Sequence, residues 1–141
     1  MRYVLDASAA LCWVLPRPHS GKALRLRADF QNGVHELIGP SVFPGEVASA
    51  LTKAERQKLI PVGDARPLLG QVMRTPPVLH PYEPLLDRAV DVSSQTRGGL
   101  YDCLYVALAE REGCGLVTDD QRLIANLTPH FAFLIPLASL P

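Results

Sequence analysis

The sequence predicts an α/β fold, a three-layer α/β/α sandwich with a central, mainly parallel sheet. Three observations carry this. Short apolar runs alternate along the chain with longer stretches of helical periodicity, which is the pattern of a parallel sheet covered on both faces. Glycine and proline stand between the runs as punctuation. The chain has 141 residues, 48% of them hydrophobic, enough for one core and one domain spanning 1–141.

Residues 2–5 read as a buried strand and 7–14 as a short helix stopped by Pro16 and Pro18. Ser20 is placed to cap a helix from Gly21 to about Asn32, with Gly33 closing it. Glu36-Leu37-Ile38 is a strand before Gly39-Pro40. Ser41 to about Lys58 is a long helix whose apolar face is Phe43, Val47, Ala50, Leu51 and Ala54. Pro61 opens a further helical segment to about Arg74, within which Pro67 threatens a break. Val78-Leu79-His80 is a third strand, and 83–96 is helical. Gly98-Gly99 separates that helix from the next, 101–112, which Gly113 ends. Gly115–Thr118 is a fourth strand, Asp120 to Leu127 a short helix, and Phe131–Leu137 a closing strand.

Lys+Arg and Asp+Glu both number 14, so the net charge is zero. That excludes a broad electrostatic clamp on nucleic acid and leaves room for a local one. Arg17, Lys22, Arg25 and Arg27 form a basic stretch with no acid between Asp6 and Asp29, and are the candidate nucleic-acid contacts. The plain alternative is a solvated helix face. Cys12, Cys103 and Cys114 lack a C-x-x-C spacing and sit in apolar surroundings, as reduced thiols do. The first residues do not form a signal peptide, because Asp6 cuts the opening apolar run. No apolar run approaches the ~20 residues needed to span a bilayer. The expectation is a soluble cytoplasmic protein with no membrane partner.

Four acids stand out against this background. Asp6 ends the run Tyr3-Val4-Leu5, and Glu46 interrupts the apolar start of the 41–58 helix. Asp102 opens the most apolar helical stretch, and Asp120 follows Leu116-Val117-Thr118. In open parallel sheets ligands bind beyond the carboxyl ends of the strands. If the first and fourth strands are neighbours, Asp6 and Asp120 meet there, and Glu46 and Asp102 reach the same edge from the first turns of their helices. Carboxylates that converge without a cation suit a hard divalent ion such as Mg²⁺ or Mn²⁺. Each acid also has a bland role. Asp6 and Asp120 can cap the helices that follow them, and Asp102 can simply favour a helix dipole.

The residues around the acids resemble the motifs of PIN-domain nucleases. Tyr3-Val4-Leu5-Asp6-Ala7-Ser8-Ala9 looks like a strand ending in D-x-S. Pro44-Gly45-Glu46-Val47-Ala48-Ser49-Ala50-Leu51 is similar to the family's Glu followed by V-A-x-A-L. Tyr101-Asp102-Cys103-Leu104-Tyr105-Val106-Ala107-Leu108-Ala109 resembles Y-D-A-x-Y-x-A-L-A, with Cys103 in place of the usual Ala. Leu116-Val117-Thr118-Asp119-Asp120 through Leu123 resembles L-V-T-x-D-x-x-L. The motifs come in family order over nearly the whole chain and look most like VapC toxins of toxin–antitoxin pairs.

The resemblance implies a metal-dependent endoribonuclease that leaves a 5′-phosphate and a 3′-hydroxyl on structured RNA such as tRNA or rRNA. It assigns Asp6, Glu46, Asp102 and Asp120 to catalysis and to Mg²⁺ or Mn²⁺. Asp119 is either a further ligand or a solvated residue, and Ser8 and Thr118 are donors to the carboxylates. It implies an RNA substrate, a homodimer, and a VapB-like antitoxin that holds the enzyme inactive. His19, His35, His80 and His130 show no paired spacing for an imidazole-driven ribonuclease. Two readings compete. One is a catalytically silent PIN-fold module that binds RNA or protein. The other is an acidic-site phosphoryl-transfer protein, which the D-A-S opening, the lack of any Lys after Lys58 and the absence of a G-x-x-x-x-G-K-[ST] loop disfavour.

Overall fold

The computed structural model describes residues 1–141. Five parallel strands form one sheet in the order β3-β2-β1-β4-β5. They are β1 (Arg2–Leu5), β2 (Glu36–Pro40), β3 (Val78–His80), β4 (Gly115–Thr118) and β5 (Leu134–Pro136). Seven α-helices connect and cover them: α1 (Ala7–Leu11), α2 (Ser20–Gln31), α3 (Phe43–Arg56), α4 (Ala65–Val72), α5 (Leu86–Thr96), α6 (Leu100–Glu112) and α7 (Gln121–Leu127). The result is the expected three-layer α/β/α arrangement.

The strand order decides where a ligand can sit. From β1 the chain moves outward to β2 and β3, then returns across the sheet to β4 on the other side of β1. Val4 is in register with Ile38 on one side and with Leu116 on the other. The direction of winding therefore switches between β1 and β4. Connections leave the sheet on opposite sides there, which opens a crevice at the carboxyl ends of those strands.

Helix α6 anchors the core. Its residues Cys103 through Ala109 are all buried, so it is apolar around its whole circumference. It packs on β1, β2 and β4, with α5 against it. α1 packs on β4 and α3, and α3 packs on α4. One continuous cluster of 35 buried residues runs through these contacts, with Tyr105, Phe43, Leu5, Leu51 and Leu108 among its largest members. No helix is long and apolar enough to cross a membrane.

The element boundaries depart from expectation at four places. The helix expected over 7–14 ends at Leu11, and Cys12–Val14 continue as a turn. Ser20 does not cap α2. It is the first helical residue, and its hydroxyl donates to the Leu15 carbonyl and accepts from the Arg17 amide, which ties the preceding loop. The segment after Pro61 becomes helical only at Ala65. Pro67 then falls in the first turn of α4, where its missing N–H is no loss, and the helix does not break. The closing strand shrinks to Leu134–Pro136.

Gly113 ends α6 with φ of +64, and nothing lies within 4 Å of the position its Cβ would take. The residue is needed for its backbone alone. Gly113→Ala should cost about 1 kcal/mol through the left-handed conformation, measured by urea denaturation, with no effect on whatever happens at the crevice. A neutral result would show that the helix end can relax.

Candidate functional site

Asp6 is the deepest group of the crevice. It follows the last residue of the central strand and is only 4% exposed. Its backbone N–H extends the ladder by donating to the Val117 carbonyl at 3.0 Å. Its side chain makes no capping bond to α1, so the bland role fails here. Instead Ser8 and Thr118 donate to the same oxygen, Oδ2, at 2.5 and 2.9 Å. Ser8 Oγ also accepts the Asp119 amide at 2.9 Å, and Thr118 Oγ1 accepts the Asp120 amide at 3.1 Å. The two hydroxyls therefore lock the ends of β1 and β4 together and hold one carboxylate oxygen. The other oxygen, Oδ1, accepts no hydrogen bond of good geometry.

Asp120 repeats this division. Its Oδ1 accepts the amides of Arg122 and Leu123 at 3.0 and 3.2 Å, a true N-cap of α7, and its Oδ2 makes no hydrogen bond. Here the bland role and the site coexist in one side chain. Glu46 and Asp102 lie in the first turns of α3 and α6, both partly buried, with no hydrogen bond to either carboxylate. All four acids line one open cleft of about 490 Å³.

The acids share one electrostatic environment. Burial raises the Asp6 carboxyl above the usual carboxylate range. The Ser8 and Thr118 hydroxyls offset part of that, and Asp120 pushes it further up. Burial also raises Glu46; the Tyr105 hydroxyl beside it offsets part of that, and Asp6 adds to the rise. Asp102 is pushed up to about 7, first by burial and then by the charges of Asp6, Asp120 and Glu46. Tyr105, fully buried on α6, is raised by burial and by the charges of Glu46, Asp6 and Asp102. Its hydroxyl lies beside Glu46 but makes no hydrogen bond of acceptable geometry and has no other partner. As the side chains stand, no three of the acids close around a single point.

A profile of the PIN domain family matches residues 3–127, which include all four acids. This chain belongs to the PIN-domain family. Ribonuclease VapC9 of Mycobacterium tuberculosis is 33% identical over 120 residues, 85% of this chain and 87% of VapC9. Ribonuclease VapC3 of Pyrobaculum aerophilum is 32% identical over 125 residues, 87% of this chain and 92% of VapC3. Among solved structures, PAE2754 of Pyrobaculum aerophilum superposes with a TM-score of 0.70 at 26% identity, covering 99% of this chain and 94% of its own. VapBC2 of Rickettsia felis, solved with a fragment of promoter DNA, shares the fold at 15% identity with a TM-score of 0.66, over 96% and 97% of the two chains.

Other side chains of this PIN domain are placed differently from the sequence-based expectation. Asp119 is not solvated. Its Oδ1 pairs with His19 Nδ1 at 2.9 Å, and its Oδ2 accepts from Cys12 Sγ at 3.4 Å. Both of its oxygens are thereby engaged at the cleft wall. Burial and Asp119 together push the Cys12 thiol up to about 12, so it stays protonated. The basic stretch is not one surface. Only Arg17 lines the acidic cleft. Arg27 stacks over the Trp13 ring at 4.9 Å and donates to Thr75 Oγ1 and the Gln71 carbonyl, so it is a structural clamp. Lys22 donates to the Ala138 carbonyl, and Arg25 is exposed away from the cleft. Lys53 was missed as a cleft residue. It lies two turns beyond Glu46 on α3, and the spacing Glu46, Ala50, Lys53, Gln57 is one helical face that all lines the cleft.

The raised acids set a pH dependence. Between its ordinary value of 3.8 and about 7, Asp102 holds a proton in the folded state that the unfolded chain has released. Stability therefore falls as pH rises through that window and stays lower above it. Asp6 and Glu46 act in the same direction. In chelator, Tm should decline from pH 4 to pH 7, and Asp102→Asn should flatten the decline and melt higher than wild type at pH 8. Parallel profiles for the two proteins would contradict the mutual repulsion.

Proposed function

We propose that this PIN-domain protein is a Mg²⁺- or Mn²⁺-dependent endoribonuclease, the toxin of a toxin–antitoxin pair, that hydrolyses phosphodiester bonds of structured RNA such as tRNA or rRNA. The observation that carries the reading is the set of four carboxylates at the switch point between β1 and β4, with Asp6 and Asp120 each keeping one oxygen free. The relatives named as VapC ribonucleases support it.

The donor set fits a hard divalent cation. Every group is a carboxylate oxygen, none of the four acids is ion-paired to Lys or Arg, and a buried tyrosine hydroxyl beside them lacks a partner. Asp6, Glu46, Asp102 and Asp120 would hold the ion. Asp119 would not, because His19 and Cys12 occupy it. Bound there, a metal would supply an activated water and neutralise charge on the phosphoryl oxygens. The chain supplies the rest. Ser8 and Thr118 fix Asp6 so that its free oxygen keeps one direction. The α7 amides fix Asp120 in the same way. The Tyr105 hydroxyl is left to orient Glu46 or a water at the innermost wall. A VapB-like antitoxin, a homodimer and a cytoplasmic setting follow from the family resemblance. An antitoxin arginine would compete with the metal for these carboxylates through paired hydrogen bonds.

Asp6→Asn, Glu46→Gln, Asp102→Asn and Asp120→Asn should each abolish Mg²⁺-dependent RNA cleavage, while Asp119→Asn should be milder. Asp120→Asn is the sharpest of these, since asparagine caps a helix about as well as aspartate and stability should hold while activity goes. Near wild-type cleavage by Asp6→Asn would sink the proposal.

Tyr105→Phe separates a site role from a packing role. Removing an unsatisfied buried hydroxyl should leave Tm unchanged or raised, while cleavage falls by about tenfold or more, in the range of a lost positioning contact. Full activity in a protein that melts lower would mean that the hydroxyl serves only the core.

A further inference from the structure

Asp119 lines the same cleft as the four acids, one residue before Asp120. Its side chain is 11% exposed. Its backbone is fixed, because the Asp119 amide donates to Ser8 Oγ at 2.9 Å and that hydroxyl donates to Asp6 Oδ2. Only the side chain is left to choose a direction, and it is held at the wall. His19 Nδ1 meets Oδ1 at 2.9 Å, and the Cys12 thiol donates to Oδ2 at 3.4 Å. A carboxylate only accepts, so the imidazole carries a proton on Nδ1.

Both donors come from the segment between α1 and α2. Cys12 follows the last residue of α1 and is buried, and His19 precedes the first residue of α2. The segment is itself pinned. Trp13 Nε1 donates to the Ala23 carbonyl at 2.9 Å, and Ser20 Oγ donates to the Leu15 carbonyl at 3.0 Å. The ordinary uses of a carboxylate in this position are missing. Asp120, not Asp119, caps α7, and Asp119 pairs with no Lys or Arg. Cys12, His19 and Asp119 do not enclose a metal of their own.

We propose that His19 and Cys12 are positioning residues that withhold Asp119 from the cation at Asp6, Glu46, Asp102 and Asp120, and so keep that site at four carboxylates. This rests on the metal-dependent reading and adds a control over it. The number of charged ligands sets how tightly a hard cation is held. An ion that activates water also needs open positions for that water and for a phosphoryl oxygen. A fifth carboxylate beside Asp120 would tighten binding and close one of those positions. Hydrogen bonds to both Asp119 oxygens prevent this. Drawing the side chain into the cleft would strip the imidazole and the thiol of their acceptor at a largely buried wall. Release of Asp119 therefore couples a gain of metal affinity to a loss of turnover, a pairing that damaged packing does not produce.

The test is titration of Mn²⁺ into the full chain, with the free ion read by electron paramagnetic resonance. Proteins are wild type, His19→Ala, His19→Asn, Cys12→Ala, Asp119→Asn and His19→Ala/Asp119→Asn. The His19 side chain is 32% exposed, so its removal should leave the protein folded, which a melt in chelator checks. His19→Ala should bind Mn²⁺ tighter by about threefold or more, and Cys12→Ala should shift affinity in the same direction. His19→Asn, whose amide nitrogen stands near the position of Nδ1, should bind as wild type. Asp119→Asn should stay within about twofold of wild type, and the double variant should match it, because the gain belongs to the freed carboxylate. RNA cleavage at saturating Mn²⁺ should fall in His19→Ala and return in His19→Asn. Unchanged or weaker affinity in folded His19→Ala, a gain that persists in the double variant, or the same gain in His19→Asn would each overturn the proposal. If His19→Ala does not fold, Cys12→Ala decides by the same readout. No saturable Mn²⁺ binding by wild type would remove the metal-dependent reading together with the proposal. Saturable wild-type binding without a gain in His19→Ala would remove only the withholding of Asp119.

Discussion

A carboxylate at the end of the central strand, buried to 4% exposure with no cation beside it, is the constraint around which this molecule is organised. Burial of an unpaired charge is costly, and the structure meets the cost with two hydroxyls on one oxygen of Asp6. Those same hydroxyls accept the amides of Asp119 and Asp120, so satisfying Asp6 also fixes the start of α7 and the cap that begins it. The neighbouring acids add repulsion. That repulsion is one cause that raises Asp6, Glu46 and Asp102 above the usual carboxylate range. Capping can explain where Asp120 sits. The sharing of one cleft by four acids is what the proposed metal site accounts for.

The sheet makes the arrangement possible. β1 has a neighbour on each side, and the chain reverses its winding between β1 and β4, so the crevice opens where Asp6 and Asp120 emerge. α3 and α6 then aim their first turns at it. α6 does so from the turn just before its buried stretch Cys103–Ala109, which leaves Asp102 partly open to the cleft. Its other polar intrusion, the Tyr105 hydroxyl, is directed inward to the same acids. Fold stability and site geometry are coupled in this one helix.

Much of this was legible in the chain. Asp6 and Asp120 end apolar runs bounded by turn residues, and such breaks are visible without coordinates. Glu46 and Asp102 stand out because a charge interrupts an apolar helix. The strand order was not legible, because which short parallel strands pair is set by packing of the whole domain; only a conditional statement about the first and fourth strands was open. Side-chain commitments were hidden for a related reason. The basic stretch looked like one surface, but Arg27 lies over Trp13 and Lys22 reaches the C-terminal residues. Asp119 looked solvated or ligating, and its true partners, His19 and Cys12, are a hundred residues away in the chain. Lys53 was within reach of sequence reasoning, since it follows Glu46 by seven residues on one helical face.

The central claim is that the four carboxylates are held apart in charge to receive a divalent cation. Direct titration of Mn²⁺ into the metal-free protein, followed by electron paramagnetic resonance of the free ion and by proton release near pH 6, tests it without reference to any substrate. Saturable binding that releases protons is expected, because the Asp102 carboxyl is raised to about 7, together with loss of both signals in Asp6→Asn. Absence of saturable binding, or binding that Asp6→Asn leaves intact, would contradict it.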